Sequence, residues 1–144
     1  MATEEHGRAR PLGETTGTAE RPAQHLAGPT LTFDLAAEAR QLRAEEAWRR
    51  GEHNAKTLMK EADFRIVLVA AKSGGRMRDH QAPGRLSIQI LSGRVRVHLR
   101  SGSVDLPMGH LLTLEPGIVH DVEALAESDF LLTIAWPAGS NVEG

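Results

Sequence analysis

Apolar and polar positions alternate in short runs over most of the chain beyond residue 54. Leu86, Ile88 and Ile90 form one run, Val95, Val97 and Leu99 a second, and His120, Val122 and Ala124 a third. A period of two predicts strands with one buried face. Gly74, Gly84, Gly93, Gly102, Gly109 and Gly117 separate the runs and predict turns. The stretch FRIVLVAAK is nearly continuously apolar, which predicts a strand covered on both faces. It pairs with the preceding KTLMK through a turn at Glu61, Ala62 and Asp63. A last strand, DFLLTIAWP, sets Phe130, Leu132 and Ile134 on one face before Pro137 stops it. Several short strands with regular turns predict a closed antiparallel sandwich or barrel.

Toward the amino terminus the pattern changes. Asp34 is a fitting N-cap for a helix over LAAEARQLRAEEAWRR, and Thr30 to Phe33 reads as a short strand before it. Leu35, Ala39, Leu42, Glu46 and Arg49 share one helical face, and Gly51 is expected to end the helix in the left-handed conformation. A free helix of this length is marginal in water, so Trp48 and the apolar stripe predict docking on the barrel wall or on a partner subunit. A lid over the barrel mouth is the functional alternative. Residues 1–30 carry few large apolar groups and read as a disordered tail. The expected division is tail 1–30, arm and helix 31–54, barrel 55–137 and frayed end 138–144.

The two histidines of the alternating region hold the candidate chemistry. His80 and His120 each stand in phase with the apolar set of their own segment, so both are expected to point inward. In a regular strand Arg76 and Arg78 would share the face of His80. Around them two spacings stand out. Gly74, five residues, His80, one residue, Ala82, three residues, Leu86, six residues and Gly93 make the first. Gly109, five residues, Glu115, Pro116, Gly117, two residues, His120, three residues and Ala124 make the second.

Both spacings resemble the two sequence motifs of the cupins, and the resemblance covers roughly residues 56–137. It implies an all-β, single-domain jelly-roll β-barrel, here with an N-terminal helix and a disordered N-terminal tail. It also implies homodimers and a divalent metal, held in the family by three histidines and a glutamate. Ala82 and Leu86 replace two of those four ligands, while Glu115 and Ala124 replace the motif proline and asparagine. Alanine and leucine have no electron pair to give a metal.

Three readings of the histidine pair stay open. His80 and His120 form half of a site for iron, manganese, nickel or zinc, completed by water, substrate or a carboxylate from Asp79, Asp121 or Glu115. Strand parity turns the two aspartates outward. Alternatively the pair is structural, satisfied by hydrogen bonds inside the core. In the third reading Arg78 joins His80 and His120 in an anion pocket, because a guanidinium repels a cation and binds carboxylates. In each case Leu86 and Ile88 supply apolar lining, and the ligand expected is a small molecule. A non-catalytic binding cupin is favoured. The alternative is a metal-dependent dioxygenase or isomerase acting through His80 and His120, and no catalytic residue is assigned.

Composition narrows the rest. A formal net charge of -2 and an aromatic content of 3% argue against nucleic acid as a partner, since such surfaces need positive charge and stacking rings. Arg94, Arg96, His98 and Arg100 form a stripe on the outer face of one strand, expected to be solvated or paired with acids. The chain contains no cysteine, which removes disulfides and thiolate chemistry. No run of about 20 apolar residues exists to span a bilayer, and the first residues lack the apolar centre of a secretory signal. A cytoplasmic, bacterial protein is the expectation.

Overall fold

The computed structural model describes residues 10–11, 21 and 26–136. In chain order it contains β1 (Arg10–Pro11), α1 (Leu35–Ala44), α2 (Glu46–Arg50), β2 (His53–Glu61), β3 (Phe64–Ala71), β4 (Arg76–Gln81) and β5 (Arg85–Ser92). There follow β6 (Arg94–Leu99), β7 (Gly102–Pro107), β8 (Leu111–Leu114), β9 (His120–Ala124) and β10 (Ser128–Ala135). The strands build two five-stranded sheets, β1-β4-β9-β6-β7 and β2-β3-β10-β5-β8. All pairings are antiparallel except that of β1 with β4. This is an all-β jelly roll.

Alternation in sequence becomes a division between two apolar clusters. Inner faces of both sheets meet in one continuous core that includes Val67, Val69, Leu86, Ile88, Val95, Val97, Val122, Phe130, Leu132 and Ile134. The second cluster lies outside the barrel, where Ala39 and Leu42 of α1 meet Leu58, Leu68 and Ala70 of β2 and β3. Thus β3 is covered on both faces, as its apolar run predicts, and the helix is the second cover. Trp48 packs against the same outer cluster. With its apolar stripe spent on the outer wall, α1 is not a lid over the mouth.

Other local expectations are corrected. Asp34 does cap α1, its Oδ1 accepting from the Ala37 amide at 3.1 Å. The helix breaks at Glu45, however, whose backbone is extended. The Glu45 carboxylate is buried and accepts from Arg21 Nη2 and Asn54 Nδ2, each at 2.9 Å, which turns this residue toward the barrel instead of along the helix. Gly51 sits at φ -122°, an extended and not a left-handed conformation, because α2 is only one short turn. Residues 30–33 form no strand. Within the expected tail, Arg10–Pro11 pairs with β4 and Arg21 is held by Glu45 and the Ala55 carbonyl.

Candidate functional site at one rim of the barrel

Strand ends from both sheets meet at one rim: β2, β4, β8 and β10 finish there, and β3, β5 and β9 begin. Register ties them together, Phe64 and Arg85 both standing opposite Ala135, and Leu86 opposite Leu114. The loops interlock. Gly117 donates its amide to the Ala82 carbonyl at 2.8 Å, and Trp136 donates its own to the Asp63 carbonyl at 3.0 Å. Gly117 has φ 81°, a conformation glycine adopts without strain, which lets the turn before His120 reach the turn after His80. Gly84 lies so close to Ala135 and Trp136 that a Cβ there would collide with both.

His80 on β4 and His120 on β9 are direct register partners at this rim. Residues directly opposite in an antiparallel pair have Cβ atoms about 4.5–5.5 Å apart, so the rings are neighbours. Both are buried. His120 hydrogen-bonds through Nδ1 to the Ile118 carbonyl at 3.0 Å. A carbonyl only accepts, so Nδ1 carries the proton and Nε2 keeps a lone pair. That Nε2 is buried and has no hydrogen-bond partner among the described residues. Burial pushes the His120 ring below the ordinary histidine range, outweighing the Ile118 carbonyl and the charge of Asp121, which act the other way. The ring is therefore neutral near pH 7.

Arg78 is not beside His80. A register irregularity between Met77 and His80 turns both of those side chains inward, and it breaks the parity that would group Arg76, Arg78 and His80. Arg78 is exposed. The other ligand candidates separate likewise. Asp121 forms an ion pair with Arg76 at 3.2 Å, Glu115 is exposed, and the Asp79 side chain lies outside the described residues. Ala82 and Leu86 belong to the inner core, and Ile88 is fully buried one layer deeper. Among the described residues no group of three or more histidine, aspartate or glutamate side chains is placed to hold a metal. The two imidazoles are donors of the right type, but they fall short of the three protein ligands a firm site uses.

Two residues of the rim escaped the sequence reading. Arg65 is the second residue of β3 and stands in phase with Val67, Val69 and Ala71, so it points into the barrel and is buried. Trp136 follows β10 in phase with Ile134 and is also buried. The Arg65 guanidinium carbon lies 5.6 Å from the centre of the Trp136 ring. The signal was present, since Arg65 is a charge at an inward position of an apolar strand. On the outer face of the other sheet two members of the basic stripe are paired within the chain, Arg96 with Asp105 at 2.6 Å and His98 with Glu123 at 2.7 Å.

Comparison with known proteins agrees with this fold. The family model of the AraC-like ligand binding domain matches residues 67–142. A conserved protein of unknown function from Streptococcus pyogenes superposes with a TM-score of 0.61 at 18% identity, over 80% of this chain and 95% of that one. A cupin superfamily protein from Desulfitobacterium hafniense gives 0.61 at 15% identity, over 81% and 99%. An RmlC-like cupin from Shewanella frigidimarina gives 0.56 at 13% identity, over 62% and 80%. At these identities the likeness is one of fold. No curated protein sequence matches the chain. Among the described residues no helix is long and apolar enough to cross a membrane.

Proposed function

Because the chain belongs to the family of AraC-like ligand binding domains, we propose that it takes a small molecule at the rim of its barrel, with His80 and His120 as polar contacts. One observation carries this reading: two imidazoles stand opposite each other at the end of the barrel's apolar core. A few converging polar groups above an apolar floor are the ordinary composition of a small-molecule site. Leu86 supplies part of that floor, with Ile88 beneath it, whereas Arg78 has no place in the site because it is exposed. A thermal-shift screen of metabolite-sized compounds tests the reading. At least one compound should raise the melting temperature saturably, and the rise should shrink in His120→Gln. A silent library, or shifts that ignore both histidines, would refute it.

A second reading adds a divalent ion, and the His120 Nε2 lone pair, buried without a hydrogen-bond partner among the described residues, favours it. Its Nδ1–H bond to a backbone carbonyl is the outer contact that orients a ligating imidazole. Elemental analysis of untagged protein, with His80→Ala as control, decides this: bound iron, manganese, nickel or zinc that vanishes in the variant supports the ion. A dioxygenase or isomerase would require that ion, and with two of the four family donor positions apolar we assign no reaction. The homodimer implied by the family resemblance is a further proposal. Exposed Met108 and Leu111 at the free edge strand β8 support it, and light scattering would test it.

A further inference from the structure

The rim holds two buried N–H donors that lack a hydrogen-bond acceptor among the described residues. Arg65 is 8% exposed and Trp136 7% exposed. Among the described residues, the Nε of Arg65 and the Nε1 of Trp136 are both buried without a hydrogen-bond partner. Among the described residues no carboxylate forms an ion pair with Arg65. Its register partner on β2, Lys60, is a second cation, and it is exposed. A buried hydrogen-bonding group left unmatched is costly, and a buried unmatched charge more so. Guanidinium cannot escape by losing its proton at ordinary pH. The Trp136 ring face supplies part of the compensation as a cation–π contact but leaves Arg65 Nε and Trp136 Nε1 without a hydrogen bond among the described residues.

Their position makes this more than a local oddity. Arg65 stands opposite Ile134, which stands opposite Leu86, the position where the cupin motif has its glutamate. The same rim carries the His80–His120 pair. Where a metal-binding relative would bring a carboxylate and a cation together, this chain presents an apolar residue with a guanidinium two strands away. We propose that the rim binds a small molecule bearing a carboxylate, with the Arg65 guanidinium as anchor and the Trp136 indole N–H as a second donor. This rests on the small-molecule reading above and specifies its chemical class. Guanidinium meets carboxylate through two parallel hydrogen bonds, a geometry that fits one cation to one monoanion.

The test uses the full chain and a panel of sodium salts: acetate, succinate, 2-oxoglutarate, benzoate and hydrocinnamate. Neutral amides of the same acids and inorganic phosphate serve as controls at matched ionic strength, read by thermal shift and then calorimetry. At least one carboxylate should stabilise the protein while its amide does not. Arg65→Met should weaken that carboxylate on the order of 100-fold, the scale for losing one partner of a desolvated ion pair. Arg65→Lys should retain part of the affinity, because charge stays while the fork is lost. Trp136→Phe keeps the ring face and loses the N–H, so a weakening of a few-fold is expected. Without ligand, Arg65→Met should melt no lower than the parent, since it removes an unpaired buried cation. The proposal fails if no carboxylate acts, if amides act equally, if phosphate binds more tightly, or if Arg65→Met and Arg65→Lys leave the affinity unchanged. Neutral compounds that bind through His120 while every carboxylate fails would overturn this inference and leave the broader reading standing.

Discussion

His120 shows how one residue's surroundings set its chemistry. Burial depresses its proton affinity more than the Ile118 carbonyl and Asp121 raise it, so the folded ring stays neutral to a lower pH than the unfolded one. The unfolded chain then binds the extra proton first, and stability falls as pH drops below about 6.5 until the folded ring protonates too. Comparing denaturant midpoints from pH 8 to 5 for the parent and His120→Gln isolates this ring from the other histidines. The parent should lose more stability over that window than the variant, and parallel curves would contradict the assignment. Position also governs the absent ligands. Ala82 and Leu86 are both core residues at the rim, so Ala82→His with Leu86→Glu places four donors where the parent has two. Metal affinity should rise by orders of magnitude in a zinc titration, with His120→Ala reversing the gain. No gain would mean that the four positions do not converge.

At the scale of elements, the chain was legible wherever one period ran unbroken. β5, β6, β9 and β10 follow their alternating residues, and Phe130, Leu132 and Ile134 are buried as their phase requires. The expectation failed at irregularities that a period cannot encode. The register shift between Met77 and His80 moved Arg78 outside, and it has no mark in the residue pattern. The helix break at Glu45 depends on Arg21 and Asn54, partners 24 and 9 residues away. That contact yields its own prediction. Burial raises the Glu45 carboxyl, but hydrogen bonds from Arg21 and Asn54 and the charges of Arg21 and Lys56 outweigh it, so the group is held below the usual carboxylate range. A depressed carboxyl stabilises the fold above its unfolded value near 4.3, and this is lost as pH falls through the folded value. Glu45→Ala should cost about 3–5 kcal/mol at pH 7, the scale for orphaning a buried charge. The deficit should narrow in acid, and chemical denaturation at pH 7 and pH 4 would measure both.

The whole molecule separates stability from binding by layers. The rim groups Arg65, His80, His120 and Trp136 face the inside of the barrel, while α1 and its apolar stripe cover the outside of β2 and β3. Arg43 fastens the helix to the start of β10 through ion pairs with Glu127 at 2.5 Å and Asp129 at 2.8 Å, far along the strand from Trp136. The helix therefore works as a cover for Leu58, Leu68 and Ala70, which would otherwise form an exposed apolar patch. Leu42 is fully buried beneath it, so Leu42→Ala should destabilise by about 2–5 kcal/mol. A chain beginning at Glu52 puts the idea to a harder test. Its inner core is untouched, so strand circular dichroism should persist, while the bared outer face should bind a hydrophobic dye and drive self-association visible by light scattering. Loss of the strand signal would show instead that the barrel cannot close without its outer layer, and that the two clusters form one cooperative unit.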